Sequence, residues 1–466
     1  MTEPDASAAP TPASTVPDTA PAASTPASTV PDTAPAASPV PGTAAAASPA
    51  PRRGLWRERG FPAFWLGQGL SQLGAQFAAL AMPIVAVSVL HADDAQMGYL
   101  NAAETAAFLL MGLPAGAWLD RMRKRNVMVV ADLVRVVAVA AVPLLWLAGM
   151  LEMWHLFVVG AVVGIATVFF DVGYQSFVPV LVRDEHVGPA NGALEATAQT
   201  MRLAGPAFAG VLLKVISAPL LLAANAVGFL LSAISLLLVH DDEVVKPKHE
   251  RQHLVREIAE GLRFVARNDF LVRIVATTAI TNLGTTIALT LSPILILRIL
   301  GLDPSVYGVL MTLGAVGGLA GSLMAGRIAR WIGEGPALAW STVLFTASAA
   351  LLPAAAIFQD AGVVLLVLFE ALLGFSVLVY NIVQVTARQR ICPKPLLGRM
   401  NASIRFVVWG VMPLGALAAG WLGTAFGTLS AIWVGSIIAM LGALPLLLSR
   451  YARMRSLPTR EEAARP

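Results

Sequence analysis

The chain has 466 residues, of which 57% are apolar and 13% are charged, whereas an ordinary soluble domain carries roughly 25% charged residues. This composition excludes a water-soluble globular protein and indicates a membrane protein. The net charge of +4 does not indicate a nucleic acid partner, because the basic residues are confined to particular loops. The single cysteine, Cys392, excludes an internal disulfide.

The N-terminal segment differs in composition from the rest of the chain. Residues 1–51 consist mainly of Ala, Pro, Ser and Thr, and the phrase ASTVPDTAPAAS begins at position 13 and again at position 27. Such a segment cannot bury an apolar core, so we predict a disordered cytoplasmic tail over residues 1–55. It also lacks the basic region and short apolar core of a signal peptide.

Twelve long apolar stretches follow from Phe61 onward. A helix that crosses about 30 Å of hydrocarbon needs about 20 apolar residues. Because the bilayer core offers no water to backbone N–H and C=O groups, these stretches are predicted to be helices rather than the short strands of a membrane barrel. The predicted spans are 62–90, 97–119, 127–147, 156–180, 192–214, 220–239, 271–298, 306–329, 337–358, 362–385, 400–422 and 430–449.

Basic residues crowd every second loop between these spans. Lys214 and Arg298 are the exceptions that stand in the other loops. Cytoplasmic loops are enriched in Lys and Arg, so this asymmetry predicts a multi-pass protein of the cell (plasma or inner) membrane with both termini in the cytoplasm. The basic groups are Arg52 to Arg59, Arg121 to Arg125, Lys246 to Arg267, Arg388 to Arg399 and Arg450 to Arg465.

The polar stretch between the sixth and seventh spans divides the chain into two related halves. Residues 241–270 form a cytoplasmic linker, in which apolar residues at helical spacing predict an amphipathic helix on the inner face of the membrane. The halves are predicted to be six-helix bundles at 56–240 and 271–450, followed by a cytoplasmic tail at 451–466. Asn191, Gly205 and Gly210 recur at the same offsets as Asn401, Gly415 and Gly420, which is typical of parallel repeats.

The loop between the second and third spans carries a family motif. In the major facilitator superfamily this loop reads G-x-x-x-D-[RK]-x-G-[RK]-[RK], and GAWLDRMRKR resembles it at Gly116, Asp120, Arg121, Lys124 and Arg125, with Arg123 in place of the second glycine. Over residues 60–455 the chain resembles the branch that contains enterobactin exporters and macrolide-efflux proteins. The resemblance implies an all-α membrane protein whose twelve transmembrane helices form two pseudo-symmetric six-helix bundles.

Several charged residues fall inside the predicted spans. Each would cost roughly 2.5–3.5 kcal/mol near the bilayer centre if it stayed charged and unpaired. Glu104 and Glu370 have no base within four residues on their own helices. Since burial disfavours the charged form of a carboxyl, either could hold a proton and release it when a pathway opens. We expect Glu104, Glu370 and Asp171 to handle protons or substrate; the alternative is a protonated glutamate that is hydrogen-bonded across helices.

Polar stripes run along spans that line the central cavity in the resembled family. They predict a weakly polar cavity with aromatic side chains nearby, suited to an amphipathic organic substrate. Interhelical hydrogen bonding is the alternative explanation for any one stripe. The predicted cavity-lining residues are Gln68, Gln72, Gln76, Tyr174, Thr278, Asn282, Asn381 and Gln384.

The repeat register pairs Asp120 with Arg330, and Glu195 with Arg405. The resembled family packs span 2 against span 11 and span 5 against span 8, which predicts the ion pairs Asp120–Arg405 and Arg330–Glu195 across the halves. Such pairs would close the cytoplasmic side when the cavity opens outward. Snorkelling of each residue to lipid phosphate is the alternative. The predicted gate residues are Gly116, Asp120, Arg121, Arg125, Glu195, Arg330 and Arg405.

These observations favour a secondary transporter that exports an amphipathic small molecule (a drug, a macrolide or a siderophore) by alternating access, driven by a proton gradient. An importer of a small organic solute and a non-transporting sensor of the same fold are the alternatives. An enzyme or ATP-driven pump is not favoured, because no Gly-Lys dipeptide occurs to form a phosphate loop. We expect a monomer in the lipid bilayer with no cofactor, no metal and no nucleic acid partner.

Overall fold

The computed structural model of the chain describes residues 54–58, 60–119, 122–239, 254–393 and 396–458. These ranges are mostly helical and contain no strand. The helices of the N-terminal half are α1 (Phe61–Ile84), α2 (Asp94–Leu119), α3 (Lys124–Leu147), α4 (Met153–Leu181), α5 (Asp184–Leu212) and α6 (Ala218–Leu238). The linker helix and the C-terminal half comprise α7 (Leu254–Ala266), α8 (Asp269–Ile294), α9 (Pro304–Ile332), α10 (Glu334–Ser348), α11 (Leu351–Ile357), α12 (Gly362–Ile391), α13 (Leu397–Phe426), α14 (Thr428–Leu441) and α15 (Leu444–Leu447).

Ten helical segments in the described part of the chain are long and apolar enough to cross a membrane. α2 and α5 complete the twelve predicted spans with 26 and 29 residues. α5 begins at Asp184 rather than at the predicted residue 192, because Asp184 and Glu185 belong to its first turn, where acidic groups favour the helix dipole. The chain is therefore a multi-pass membrane protein.

A constant offset of 210 residues relates the two halves. Pro83 and Pro293 each precede a π-helical turn, over Val85–Val89 and Leu295–Ile299. The close contacts between halves repeat in the same way. A methyl group on Gly98 would meet the Ala416 carbonyl oxygen and Gly420 Cα, and one on Gly308 would meet the Pro206 carbonyl oxygen and Gly210 Cα. This repetition confirms the predicted pair of pseudo-symmetric six-helix bundles.

The helices alternate in direction, which gives the bundle two ends. We call the end that holds Phe61 and Leu238 the proximal end, and the end that holds the two π-helical turns the distal end. At the distal end one apolar cluster contains buried side chains of both halves, including Leu80 and Leu291. Towards the proximal end each half has a separate cluster. The halves are thus packed together distally and apart proximally.

The linker helix α7 packs against the proximal part of α13. A methyl group on Gly261 would meet Ser403 and the Arg399 carbonyl oxygen, so the two helices are in close contact. Arg399 donates a hydrogen bond of 2.6 Å to Glu260, and Val265 is buried in the C-terminal cluster. The C-terminal half of α7 therefore packs against the C-terminal bundle through Gly261 and Val265, whereas Leu262 is exposed.

Candidate substrate and proton pathway

Glu104 lies in the seam between α2 and α4. A methyl group on Gly160 of α4 would lie 3.0 Å from Cγ of Glu104, and one on Gly164 would lie 2.8 Å from the Glu104 carbonyl oxygen. These glycines allow the helix backbones to approach closely, as small residues do in membrane bundles. The Glu104 side chain therefore packs in a notch on α4 rather than pointing outward into acyl chains.

Glu370 lies in the corresponding seam of the C-terminal half, between α12 and α9. A methyl group on Gly314 of α9 would lie 2.7 Å from Oε2 of Glu370. The 210-residue offset takes Glu104 to Gly314 and Gly160 to Glu370. Each half therefore holds one glutamate against one glycine, with the two residue types exchanged between the paired helices.

The two carboxyls share depth and isolation. Glu104 is ten residues beyond the distal start of α2 and Glu370 is eight residues beyond that of α12, or about 15 and 12 Å at 1.5 Å per residue. Among the described residues neither side chain makes a hydrogen bond or an ion pair. Tyr307 of α9 lies near Glu370. Both acids thus lie inside the bundle without a hydrogen-bonding partner among the described residues.

A charged network is buried in the N-terminal half. Arg135 donates a hydrogen bond of 2.6 Å to Asp132 on the same helix, and its guanidinium lies 4.2 Å from the ring centre of Phe170 and 4.4 Å from that of Phe229. Asp132 is fully buried. This arrangement supports a structural pair, because a buried charge is stable only when paired and hydrogen-bonded.

Asp171 is exposed on α4. It lies within electrostatic range of Arg135 and of Arg202 on α5, so it joins the buried pair to the exposed face of α5.

Most of the predicted cavity-lining residues on α1 are engaged in helix contacts. Gln68 is 4% exposed and donates a hydrogen bond of 3.2 Å to Ser232 on α6. Gln76 packs beneath Gly205 of α5. Gln72 is half-buried. In this structure the Gln68 side chain is therefore enclosed between α1 and α6.

The predicted cavity-lining residues of the C-terminal half also make hydrogen bonds within and between helices. The hydroxyls of Thr278 and Tyr380 are 2.7 Å apart, and Asn282 donates a hydrogen bond of 2.8 Å to the Val408 carbonyl oxygen on α13. Gln384 is buried and donates to Asn381, which is exposed. Asn381 is thus the member of this group most accessible to a solute.

Aromatic side chains occupy the proximal side of both halves. Tyr174, which is half-buried, stacks against Phe64 and Phe170 with ring centres 5.9 and 6.4 Å apart. Between the halves Phe108 of α2 meets Trp409 of α13 edge to face at 5.6 Å. These rings form apolar contacts within the N-terminal half and between the halves.

The predicted gate residues that the structure describes form no ion pairs across the halves, and the others lie outside the described ranges. Asp120 and Arg121 lie outside the described residues, and so do the contacts of Gly116. Glu195 accepts a hydrogen bond of 2.6 Å from Gln199 on its own helix, and it forms no ion pair with Arg330 in this structure. Arg405 lies over the Trp409 ring at 5.2 Å. The ion pairs Asp120–Arg405 and Arg330–Glu195 therefore stay predictions for a state in which the proximal end is closed.

Arg125, another of the predicted gate residues, bonds within its own half. Its Nη1 donates a hydrogen bond of 2.7 Å to the Val239 carbonyl oxygen after α6. This bond joins α3 to α6 within the N-terminal half.

The sequence reasoning missed the glycines that receive the two glutamates, Gly160 and Gly314. The signal was present in the 210-residue register, which aligns each glutamate with a glycine of the other half. It becomes interpretable when the pairing of α2 with α4 and of α9 with α12 is known.

The family model of the Major Facilitator Superfamily matches residues 64–412 and 274–466 of this chain. The chain is 23% identical over 273 residues to the MFS-type transporter YfiS of Bacillus subtilis (strain 168), covering 58% of this chain and 64% of that protein, slightly less than two thirds. It is 22% identical over 371 residues to macrolide efflux protein A of Streptococcus pyogenes, covering 77% and 87%. It is 30% identical over 178 residues to the multidrug efflux pump Tap of Mycobacterium tuberculosis (strain ATCC 25618 / H37Rv), covering 36% and 42%.

Solved transporter structures share this fold. A bacterial homolog of the human lysosomal transporter Spinster, inward-facing and unoccupied, superposes with a TM-score of 0.65 at 13% identity, covering 86% of this chain and 98% of that one. A bacterial homologue of the iron transporter ferroportin, also inward-facing, gives 0.65 at 18% identity over 85% and 99%. The nucleoside transporter NupG gives 0.67 at 14% identity over 84% and 99%. The chain is a transporter rather than an enzyme, and it belongs to the Major Facilitator Superfamily.

Proposed function

We propose that this protein exports an amphipathic organic molecule, of macrolide or siderophore size, from the cytoplasm in exchange for protons. The observation that carries this proposal is the pair Glu104 and Glu370, one in each half, each held against a glycine of the neighbouring helix. The names of two relatives, a macrolide efflux protein and a multidrug efflux pump, support export.

The chemistry of the two glutamates suits proton coupling. A carboxylate in a helix seam loses hydration and is stabilised by protonation, whereas a carboxylate in contact with water is stabilised as the anion. A rocking motion of the halves changes which seam is hydrated. Each acid therefore takes a proton on one side of the membrane and releases it on the other.

The arrangement of the halves supports entry of substrate from the cytoplasm. They pack together distally, and their proximal clusters are separate. The positive-inside pattern assigns the proximal end to the cytoplasm. The exposed aromatic surface of Phe406 and Trp409 and the Asn381 amide suit a molecule with both apolar and polar parts.

Transport by the purified full-length chain in liposomes tests this function. With a pH gradient imposed across the membrane, we expect uptake or release of macrolides, cationic dyes or catechol siderophores without ATP. Glu104→Gln and Glu370→Gln, which keep the shape of the side chain, should each reduce gradient-driven transport by at least tenfold, the usual scale of loss for a proton-transfer group. Glu152→Gln, an exposed distal position, is the matched control.

The outcomes separate the alternatives. Full gradient-driven transport in both glutamine variants would remove the proton role of these residues. A requirement for ATP would contradict secondary transport. Accumulation of the solute in cells that contain the protein, against depletion in the export case, would identify an importer.

A further inference from the structure

Two basic residues depart from the pattern that places Lys and Arg at the proximal end. Lys214 follows α5, and Arg298 lies in the π-helical turn after α8, so both are at the distal end. An exposed lysine or arginine on this side opposes the predicted topology. A specific contact at each position would account for its presence.

Arg298 bridges the two halves. Its Nη2 donates a hydrogen bond of 2.7 Å to the Ala92 carbonyl oxygen and a longer one of 3.4 Å to the Val87 carbonyl oxygen. Val87 lies in the π-helical turn at the end of α1, where the last carbonyl groups lack internal partners, and Ala92 lies in the loop before α2. The 210-residue offset places Ser88 opposite Arg298, so this contact has no reciprocal copy.

A second contact between the halves lies beside it. Asp94, the first residue of α2, accepts hydrogen bonds of 2.8 and 3.0 Å from the Thr428 hydroxyl at the start of α14. A methyl group on Gly423 would lie 2.6 Å from Cβ of Asp94. The offset of 210 residues takes Asp94 to Pro304, which cannot repeat this contact.

Lys214 lies near an acid of the other half. Asp303 caps α9, and the hydrogen bond that Ser305 donates to it holds the pKa of its carboxyl below the ordinary value, with the charge of Lys214 acting in the same direction. Lys214 belongs to the N-terminal half and Asp303 to the C-terminal half. Arg298 therefore bonds to acceptors across the seam, whereas Lys214 lies within electrostatic range of one.

We propose that Arg298 and the Asp94–Thr428 pair form a distal gate that holds the halves together in the state described here. Apolar packing at this end is non-directional and leaves the register between halves open, whereas charged hydrogen bonds fix it. Opening of the distal end requires these bonds to break. Their strength sets the ratio of the distal-closed to the distal-open state. This proposal does not depend on proton coupling or on the identity of the substrate.

Distances between spin labels in the purified full-length protein test the gate. In a Cys392→Ser background, Val215→Cys with Phe358→Cys reports on the distal end, and Gly188→Cys with Trp331→Cys reports on the proximal end. Val215, Phe358 and Trp331 are well exposed, and a side chain at Gly188 meets no neighbour. No substrate and no pH gradient are needed.

We expect Arg298→Ala to shift the population about tenfold towards longer distal and shorter proximal distances, the scale set by loss of one charged hydrogen bond. Thr428→Val, which is nearly isosteric, should shift it in the same direction by a smaller factor. Arg327→Ala is the matched control, because Arg327 bonds only within its own helix in the described structure. Unchanged distance distributions in folded, monodisperse Arg298→Ala and Thr428→Val proteins would overturn the proposal.

Discussion

At the scale of single residues, the absence of a side chain matters as much as charge. Gly374 of α12 lies so close to the Gly314 carbonyl oxygen that no Cβ fits between the backbones. In the other half, a methyl group on Gly164 would lie 2.8 Å from the Glu104 carbonyl oxygen, which is a less severe but still close contact. These glycines fix the seam that holds each glutamate, so their effect on transport is indirect.

Gly374→Ala should therefore destabilise the protein by about 1–3 kcal/mol, because an added methyl group in a packed interface forces the backbones apart. Gly192→Ala should be neutral or slightly stabilising, since nothing lies within 4 Å of its Cβ position and alanine favours the helix. Thermal unfolding of both variants in the same detergent measures the difference. Equal midpoints for the two variants would contradict the tight seam between α9 and α12.

At the scale of elements, ion pairs at the proximal end tie each half together separately. Glu58, before α1, accepts a hydrogen bond of 2.7 Å from Arg183 and lies 2.7 Å from Nδ1 of His186. In the C-terminal half Arg390 of α12 binds both carboxylate oxygens of Glu334, at 2.7 and 3.1 Å. None of these contacts crosses between halves, so they strengthen the bundles without closing the cavity.

The Glu58 contact predicts a pH dependence of stability. The Arg183 hydrogen bond holds the pKa of Glu58 below its ordinary value of 4.5, against the opposing effect of burial and with His186 adding to the lowering. A carboxyl whose pKa is lower in the folded state stabilises the fold above its unfolded pKa. This contribution is therefore present above pH 4.5 and is lost as the pH falls through the lower folded pKa.

Glu58→Gln should remove that dependence. We expect the unfolding midpoint of the native protein to fall more steeply below pH 4.5 than that of the variant. Asp360→Asn, at an exposed distal position, serves as control and should follow the native profile. Identical slopes for the native protein and Glu58→Gln would show that the contact does not persist in solution.

At the scale of the whole molecule, the two halves form one apolar cluster distally and two clusters proximally. An alternating-access cycle needs the reverse arrangement at another stage. Glu195 and Arg330 are both exposed here and are not paired, so they are available to meet when the proximal end closes. Asp120 lies outside the described residues, and its pairing with Arg405 stays a prediction.

Charge exchange tests that closing step. Glu195→Arg and Arg330→Glu should each lower transport roughly fivefold, because a like-charge contact of about 1 kcal/mol disfavours the closed state. The double variant should regain most of the activity. Both positions are exposed, so protein yield should not change. Single variants with native transport rates, or a double variant no better than either single one, would remove this pair from the gate.

Asp120→Asn tests the other predicted pair in the same assay, and we expect reduced transport with normal insertion and yield.

Gln68 shows why the surroundings of a polar side chain cannot be assigned from the sequence without the fold. The stripe that contains it was consistent with a cavity, but a helix presents different faces to several neighbours. In the folded N-terminal half, the face of α1 that carries Gln68 packs against Ser232 of α6.

The sequence by itself determined that this chain crosses the membrane many times as helices, because lipid leaves the backbone no other partner than itself. It also determined the twofold repeat, since identical residues recur 210 positions apart. The tertiary structure alone decided which helices pair, and with that the glycine notches at Glu104 and Glu370 and the distal contacts of Arg298. Those features join residues that are 56 to 211 positions apart, and periodicity along the chain carries no information about such distances.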